Sequence, residues 1–294
     1  MNRNYLRYRV GQWVSYGLSR RRSIWLAERL ADLQCRWSAR DRAIIRHNLQ
    51  AVLGTPVPEG APLVRDVFRH FGRYLVEFFN AHRGPAISVT VEGRDRIRPS
   101  SIVLSAHVGN WELGAILLRR LGLPVSIVVL PHRDPDVNQL FDRQRVGCGV
   151  RVLPLGPRIT THCLELLRDG WAIGIMGDRD FSANGIPVQL FGRMVRVPRG
   201  PAVLSLRSGL PVVPVFCVRE RPWEFRLFIV EPFWPTRGLA TSENIRALTQ
   251  QYTTVIGRYV QRFPTQWLMF EPLGQALRQA DTPWRAPVPQ EAAP

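Results

Sequence analysis

The sequence of 294 residues contains no lysine, so all 40 of its Lys-plus-Arg positions are arginine. Lysine is needed for Schiff-base chemistry, for anchoring pyridoxal phosphate and for the phosphate-binding loop of many nucleotide-binding enzymes. The absence of lysine excludes those classes of enzyme. Arginine stays protonated at any working pH, so it binds anions but is a poor general base. Proton transfer is therefore left to the six histidines, the carboxylates, the tyrosines and the four cysteines.

Long apolar runs and cysteine pairs are missing as well. The longest largely apolar stretches, such as Val125 to Leu130, are far shorter than the ~18 residues of a membrane-spanning helix. No apolar core and small-residue cleavage site follow the basic start of the chain, so we expect no signal peptide. The cysteines show no CxxC spacing, which is typical of reduced thiols in a cytosolic compartment. The fingerprints GxSxG, HExxH and GxxxxGK are absent too.

The sequence is rich in apolar and positively charged residues. A hydrophobic content of 45% with nine tryptophans is enough for a buried core, so the chain is not a disordered basic polymer. The net charge of +17 predicts an anionic partner. Nucleic acid, an acidic protein and an anionic membrane surface are the three classes of partner that fit it.

The charge is uneven along the chain, and the first 80 residues hold 14 arginines against six acidic residues. In that segment Leu6, Val10, Trp13 and Val14 fall on one face of a helix, with arginines nearby. An apolar face bordered by arginines is typical of a helix that lies in a membrane interface. The alternative is a solvated basic face on a core helix.

The pattern of apolar residues divides the chain into three parts. Residues 1–80 show helical spacing throughout, and we expect a helical, membrane-associating segment there. Residues 81–275 alternate short strands with helices, which favours an α/β core with a central, largely parallel or mixed sheet flanked by helices. Residues 276–294 are rich in proline, and we expect a flexible tail.

One constellation of reactive residues lies at a predicted strand-to-helix turn, in the segment SAHVGNWELG (105–114). His107 follows an apolar strand, and α/β folds place ligands at the carboxyl ends of strands. Asn110 is the predicted N-cap of the next helix, and Glu112 lies in the first turn of that helix. In a sequence of this composition the expected number of His-x4-acid matches by chance is roughly 0.5. The inference therefore rests on the position of the two residues at a strand-to-helix turn and not on their spacing.

We interpret His107 and Glu112 as a histidine–carboxylate pair. In such a pair the carboxylate fixes the imidazole tautomer and stabilises the imidazolium that forms when the histidine takes a proton. The alternative is a histidine satisfied by backbone groups, with a glutamate that interacts favourably with a helix N-terminus.

The segment around His107 resembles the first signature block of the late acyltransferases of lipid A biosynthesis, which are the lauroyl and myristoyl transferases within the glycerolipid acyltransferase superfamily. Further segments resemble the same family in the same order: RHNL (46–49), HRDPDVNQLFDRQRVGCGVRVL (132–153), MGDRDF (176–181), FGRMVRVPRGPAVLSLRSGLPVVPVF (191–216) and PTQWLMF (264–270). The resemblance covers about residues 40–271, and several ordered blocks are more specific than any one of them.

Two features depart from the family pattern. Many members carry an N-terminal transmembrane anchor, whereas this chain offers a short amphipathic, arginine-rich stretch. The last block usually continues into a basic run, but here it continues as Glu271-Pro272-Leu273-Gly274. The first departure bears on membrane attachment and the second on the acceptor.

The resemblance implies an O-acyltransferase that needs no cofactor and no metal. It would move a fatty acyl chain from acyl carrier protein or acyl-CoA to a hydroxyl of a lipid A precursor-like glycolipid. The expected place is the cytoplasmic face of the inner membrane, where the protein would be peripheral or monotopic. His107 would deprotonate the hydroxyl and Glu112 would stabilise the imidazolium. Five further residues are expected to bind substrate: Asn110, Arg143, Arg145, Asp178 and Gly200.

Other readings stay open. The two arginines also fit a plain surface charge, Asp178 fits a loop cap, and Gly200 fits the start of a helix. The acceptor also fits a phosphatidylinositol mannoside, another glycolipid or a lysophospholipid. A non-enzymatic basic module that binds membrane or nucleic acid is a further reading, but the sequence lacks a nucleic-acid-binding signature, so we expect no nucleic-acid partner.

Overall fold

The computed structural model of the protein describes residues 3–82, 87–180, 184–236 and 240–274. Its helices are α1 (Arg3–Gly17), α2 (Arg20–Trp37), α3 (Ala39–Leu53), α4 (Pro62–Asn80), α5 (Trp111–Arg120), α6 (Pro135–Gly147), α7 (Ile159–Arg168), α8 (Gly200–Ser208) and α9 (Ser242–Arg262). Its strands are β1 (Ser88–Glu92), β2 (Ile102–Ser105), β3 (Val125–Val129), β4 (Arg151–Pro154), β5 (Ala172–Met176), β6 (Ile186–Leu190), β7 (Arg193–Val197), β8 (Val212–Arg221) and β9 (Glu224–Ile229). The predicted tail, residues 276–294, lies outside the described residues.

Seven strands form one sheet in the order β1-β9-β8-β2-β5-β3-β4. The pair β8–β9 is antiparallel, and the other neighbouring strands of this sheet are parallel. Strands β6 and β7 form a separate antiparallel hairpin. Parallel neighbours need crossover connections, which the helices between the strands supply. The predicted α/β fold with a largely parallel, mixed central sheet is therefore confirmed.

The central strands are covered on both faces, which explains why they read as short, continuous apolar runs. Ile102 and Leu104 of β2 point to one face of the sheet, where α7, α8 and α9 supply the apolar cover. Val103 points to the opposite face, where α4, α5 and α6 supply it. The alternation of side chains along a strand thus divides the interior into two hydrophobic cores.

The helical segment predicted for the first 80 residues corresponds to α1 to α4. On one side α4 packs with α2 and α3 through Val67 and Phe68. At its end α4 inserts Phe78 and Phe79 into the core between the sheet and α5 and α6. The N-terminal helices are therefore attached to the α/β core through the shared helix α4.

The segment after β2 is held by strand-like backbone hydrogen bonds on both of its sides. Asn110 N donates to the carbonyl oxygen of Cys217 on β8 at 2.8 Å, and Leu268 N donates to the carbonyl oxygen of His107 at 2.7 Å. Gly109 makes the close approach possible, because its φ is +69° and an added Cβ would lie 2.0 Å from the carbonyl oxygen of Cys217. These contacts fix the backbone of His107.

We expect Gly109→Ala to lower the free energy of unfolding by roughly 3 kcal/mol or more, because a side chain there meets both a left-handed backbone and a carbonyl oxygen. Gly122→Ala is the matched control: its φ is +91°, but nothing lies within 4 Å of an added Cβ. The control should lose only about 1–2 kcal/mol. Urea unfolding measures both variants, and equal losses would contradict the close approach at Gly109.

Candidate active site

His107 and Asp178 meet because β2 and β5 are adjacent parallel strands that end at the same edge of the sheet. The register aligns Ser105 with Met176, and each of the two residues lies two positions beyond that aligned pair. The Nδ1 atom of His107 lies 2.8 Å from Oδ1 of Asp178. The site thus stands at the carboxyl ends of central strands, where α/β folds bind their ligands.

The Asp178 carboxylate is fully buried and accepts hydrogen bonds from two further N–H groups. Its Oδ2 accepts from the backbone N of His107 at 2.9 Å and from the indole Nε1 of Trp267 at 3.0 Å. Together with the imidazole, these donors replace the water that the carboxylate loses on burial. Asp178 therefore holds both the backbone and the ring of His107.

The ionisation of Asp178 decides which nitrogen of His107 carries the proton. Burial acts to raise the pKa of Asp178, but the charge and hydrogen bonds of His107 and the hydrogen bond of Trp267 outweigh it, and the pKa lies below its usual value. An ionised carboxylate only accepts hydrogen bonds, so when the charged imidazolium loses a proton, Nδ1 keeps its proton and Nε2 gives its proton up. The lone pair of Nε2 is then available to take a proton, and the side chain is 16% exposed.

The ring of Trp111 packs against the imidazole of His107. Trp111, the first residue of α5, lies edge-on to His107 with the ring centroids 4.8 Å apart. Trp111 in turn stacks on Tyr74 of α4, with a centroid separation of 4.5 Å. Burial, followed by the charge of Glu112, keeps the pKa of Tyr74 well above its usual value, so the stack is neutral. The orientation of the imidazole is therefore set by packing as well as by Asp178.

Glu112 does not pair with His107, which corrects the geometry expected from the sequence. Its carboxylate accepts from Nε of Arg145 at 3.0 Å and from Nη2 at 2.5 Å. Asp142 accepts from the remaining Nη1 at 2.9 Å. Burial acts to lower the pKa of Arg145, but the charge and hydrogen bonds of Glu112 raise it above its usual value. A buried guanidinium without a carboxylate partner strongly lowers the free energy of unfolding. Because Arg145 needs this partner, the side chain of Glu112 points toward α6.

Asn110 caps α5, as the sequence predicts, with Oδ1 accepting from the backbone N of Leu113 at 3.1 Å. Its Nδ2 donates to Oε2 of Glu77 at 3.0 Å, and the residue is fully buried. Both ends of the amide are thus engaged inside the protein. The side chain of Asn110 holds the turn after His107, and the substrate-binding role expected of Asn110 stays a prediction.

A buried ion pair that the sequence did not reveal lies behind this turn. Glu77 of α4 and Arg219 of β8 form two hydrogen bonds of 2.5 Å, and the residues are 0% and 5% exposed. Arg219 Nη1 also donates to Nδ1 of His70 at 2.7 Å. The amide of Gln266 donates to the backbone oxygen of Arg219 at 2.8 Å and accepts from its backbone N at 3.0 Å. The network joins α4, β8 and the segment after α9.

Arg143, Arg145 and Gly200 lie in different surroundings. Arg143 and Arg145 are two residues apart on α6, so their side chains leave the helix about 200° apart. Arg145 is buried against Glu112, whereas Arg143 is exposed and lines a cleft between α1 and α6. Gly200 begins α8, and an added Cβ there would meet nothing within 4 Å. The substrate-binding role expected of Gly200 stays a prediction.

Three of the sequence blocks quoted above meet at this edge of the sheet. Asn48, from RHNL, donates to the backbone oxygens of Met269 and Glu271 at 3.1 and 2.8 Å. Trp267, from PTQWLMF, donates to Asp178, from MGDRDF. Trp267 is a site residue that sequence reasoning quoted within its block but did not single out. These blocks are far apart in the sequence, but in the structure they pack together in one cluster.

The chain is similar in sequence to known acyltransferases. The family model for bacterial lipid A biosynthesis acyltransferases matches residues 15–274. A phosphatidylinositol mannoside acyltransferase of Mycobacterium tuberculosis (strain CDC 1551 / Oshkosh) is 28% identical over an alignment of 248 residues, and the match covers 78% of this chain and 75% of that protein. The protein of the same name from Mycolicibacterium smegmatis is 28% identical over an alignment of 244 residues, and the match covers 78% of each chain.

The buried network makes stability depend on pH through His70. Burial, and then the charges of Arg219 and Arg73, lower the pKa of His70 to about 2. In the unfolded chain a histidine titrates near 6.5, so below that pH the unfolded state binds a proton that the folded state does not. The free energy of unfolding therefore falls as the pH drops below about 6.5.

We expect His70→Gln, which keeps an acceptor for Arg219, to flatten this acid dependence by about 1.6 kcal/mol between roughly pH 6.5 and pH 5. Urea unfolding at a series of pH values measures it. His162→Gln on the exposed face of α7 is the control. An acid dependence that is identical in the wild type and in His70→Gln would show that His70 is not held neutral.

Proposed function

Because the chain belongs to the bacterial lipid A biosynthesis acyltransferase family and is an acyltransferase, we propose that it moves a fatty acyl chain from an acyl thioester to a hydroxyl of a mannosylated phosphatidylinositol-type glycolipid. The observation that carries the proposal is the hydrogen bond of 2.8 Å between His107 and the ionised, buried Asp178. That pair supplies a general base at the carboxyl ends of β2 and β5.

In the proposed reaction Nε2 of His107 takes the proton of the acceptor hydroxyl. Asp178 stabilises the imidazolium through Nδ1 and keeps the ring in one tautomer. The hydroxyl oxygen forms a bond to the thioester carbonyl carbon, and the carbon–sulfur bond then breaks. The thiolate leaves and takes the proton from the imidazolium, which restores the neutral histidine. No covalent enzyme intermediate is needed, in keeping with the absence of a GxSxG motif.

The proposal gives Glu112 and Arg145 a positioning role. Their ion pair joins the first turn of α5 to α6 directly beside the His107 turn. Because α5 begins at Trp111, which contacts the imidazole, a shift of this helix would move the catalytic ring. Glu112 therefore acts through the placement of α5, and Asp178 takes the role that the sequence suggested for Glu112.

The acceptor is inferred from relatives and from the family together. The relatives at 28–29% identity carry the name phosphatidylinositol mannoside acyltransferase, which favours a mannosylated inositol lipid. The family name favours a lipid A precursor, which is the second candidate. At the terminal block this chain has Glu271, paired with Arg179, in place of a basic run. Acyl-CoA and acyl carrier protein both satisfy the thioester requirement of the proposed donor.

Apolar side chains on α1 and α2 support a place at a membrane surface. Trp13 of α1 is 66% exposed and Trp37 of α2 is 77% exposed. Leu6 and Val10 on α1 and Leu30 on α2 extend these two exposed stripes. Within the described ranges, no helix has the length and apolar character needed to cross a bilayer. We propose that the protein rests on the bilayer through these helices, on the cytoplasmic face where the acyl donors are available.

Replacing each carboxylate by its amide separates the two roles. We expect Asp178→Asn to lower kcat by about three to four orders of magnitude, because the amide no longer fixes the tautomer of His107 or stabilises its charge. Glu112→Gln should instead lower the free energy of unfolding by about 3–5 kcal/mol, because it leaves Arg145 buried without a charged partner. Steady-state kinetics and urea unfolding of both variants measure the difference.

The exposed Asp95 provides a matched control for the loss of one carboxylate, and Asp95→Asn should change neither quantity. A larger loss of kcat in Glu112→Gln than in Asp178→Asn, both measured on folded protein, would return the role of the catalytic carboxylate to Glu112.

The acceptor is tested by incubating the purified protein with acyl-CoA and acyl carrier protein donors and three acceptors. These are a phosphatidylinositol mannoside, a lipid A precursor and a lysophospholipid. We expect mass spectrometry to show one added acyl chain on the mannoside and none with His107→Ala. Acylation of the lipid A precursor alone would favour the second candidate. If none of the acceptors is modified, the proposed substrate class is wrong.

A further inference from the structure

We propose that the cleft between α1 and α6 binds the phosphate group of a bilayer lipid headgroup, an inference that rests on the proposed attachment to a membrane surface. The cleft has a volume of about 200 Å³. Arg9 and Gln12 line it from α1, Arg143 and Asp136 line it from α6, and His82 lies at its side. The site is separate from His107 and Asp178.

Arg143 is the central residue of this proposal. It is exposed, and within the described part of the chain it makes no hydrogen bond or ion pair. Asp136 is seven residues earlier on α6, about 10 Å along the helix axis, so the two side chains lie on one face but start two turns apart. With Arg9, the cleft holds two guanidinium groups against one carboxylate. A phosphate can therefore bind Arg143 without breaking a contact of the protein.

Arg9 is the second arginine of the cleft, and contacts within α1 hold its side chain. Its Nη1 donates to Oε1 of Gln12 at 3.0 Å, and its guanidinium lies over the Trp13 ring at 5.7 Å. Gln12 is 6% exposed, so the group that orients Arg9 is itself fixed by burial. A guanidinium presents several N–H donors in one plane, which suits two oxygens of a phosphate. The cleft thus contains Arg9, which is held by Gln12 and Trp13, and Arg143, which is available to bind a phosphate.

The position of the cleft beside the apolar stripe of α1 favours a lipid phosphate. Arg9, Gln12 and Tyr16 follow an i, i+3, i+7 pattern and share the face of α1 that lines the cleft. The exposed stripe of Leu6, Val10 and Trp13 is centred about 90° further around the same helix. When such a stripe lies at the headgroup–acyl boundary, residues a quarter turn away lie at the depth of the headgroup phosphates.

Aromatic contacts make the cleft a fixed structure. Tyr8 of α1 packs edge-on against Phe141 of α6 with ring centroids 5.5 Å apart. Tyr16 packs edge-on against His82 at 5.6 Å. A phosphate held between Arg9 and Arg143 would join the same two helices. Because α6 also carries Arg145, binding there would set the orientation of the active site relative to the bilayer.

The test compares three vesicle types made from digalactosyldiacylglycerol, which has no phosphate. One is undoped, one contains phosphatidylinositol, and one contains cholesteryl hemisuccinate, a carboxylate anion, at matched zeta potential. Co-sedimentation is measured for the wild type, for Arg143→Gln and for Arg22→Gln, an exposed control with the same change in charge. We expect the wild type to prefer phosphatidylinositol, and Arg143→Gln to lose about tenfold in affinity for those vesicles alone.

Each other outcome contradicts a stated part of the inference. Equal binding of the wild type to both anionic vesicles, or equal losses in the two variants, shows a general charge effect and overturns the phosphate site. If the wild type binds none of the vesicles, the proposed attachment to a membrane surface is wrong. The proposed acyl transfer is tested separately, with acceptors dispersed in solution, and does not depend on that result. A thermal shift of the free protein with inorganic phosphate that Arg143→Gln abolishes would replace the lipid by a soluble phosphate ligand.

Discussion

The buried carboxylate of Asp178 is the interaction on which the site depends. It is fully buried, yet it stays ionised because N–H groups from two distant parts of the chain point at its oxygens. The register of β2 and β5 brings His107 to it, and the segment after α9 brings Trp267. Losing any of these donors would leave a buried negative charge incompletely solvated. The local structure around His107 is therefore constrained by the requirements of one carboxylate.

Two buried arginines pair with other carboxylates, and the carboxylate of Asp178 pairs with a histidine. With 40 arginines and 23 acidic residues, buried guanidinium groups compete for the few buried carboxylates. Arg145 takes Glu112, and Arg219 takes Glu77. The hydrogen-bond donors to Asp178 are instead a backbone amide, an imidazole and an indole. Because none of these carries a permanent charge, the carboxylate can stabilise an imidazolium when one forms.

Part of the remaining positive charge lies on α1 and α2, which include Arg9, Arg20, Arg21, Arg22, Arg29 and Arg36. Exposed apolar stripes on these helices stand beside arginines, a combination that suits the interface between acyl chains and headgroups. Helix α6 connects this surface with the site, since Arg143 faces α1 and Arg145 faces α5. One helix thus separates an outward side, where we propose a phosphate site, from an inward side that pairs with Glu112. The proposals for membrane attachment and for catalysis meet at this helix.

The sequence alone determined the α/β fold, the place of His107 after a central strand and the capping role of Asn110, because each follows from local periodicity or a local hydrogen bond. Only the tertiary structure decided which carboxylate reaches His107. Glu112 is five residues away in sequence, but the buried Arg145 requires it. Asp178 is 71 residues away, and the parallel register places it beside the imidazole. Strand pairing and the cost of an unpaired buried charge act across the fold, so neither can be read from spacing along the chain.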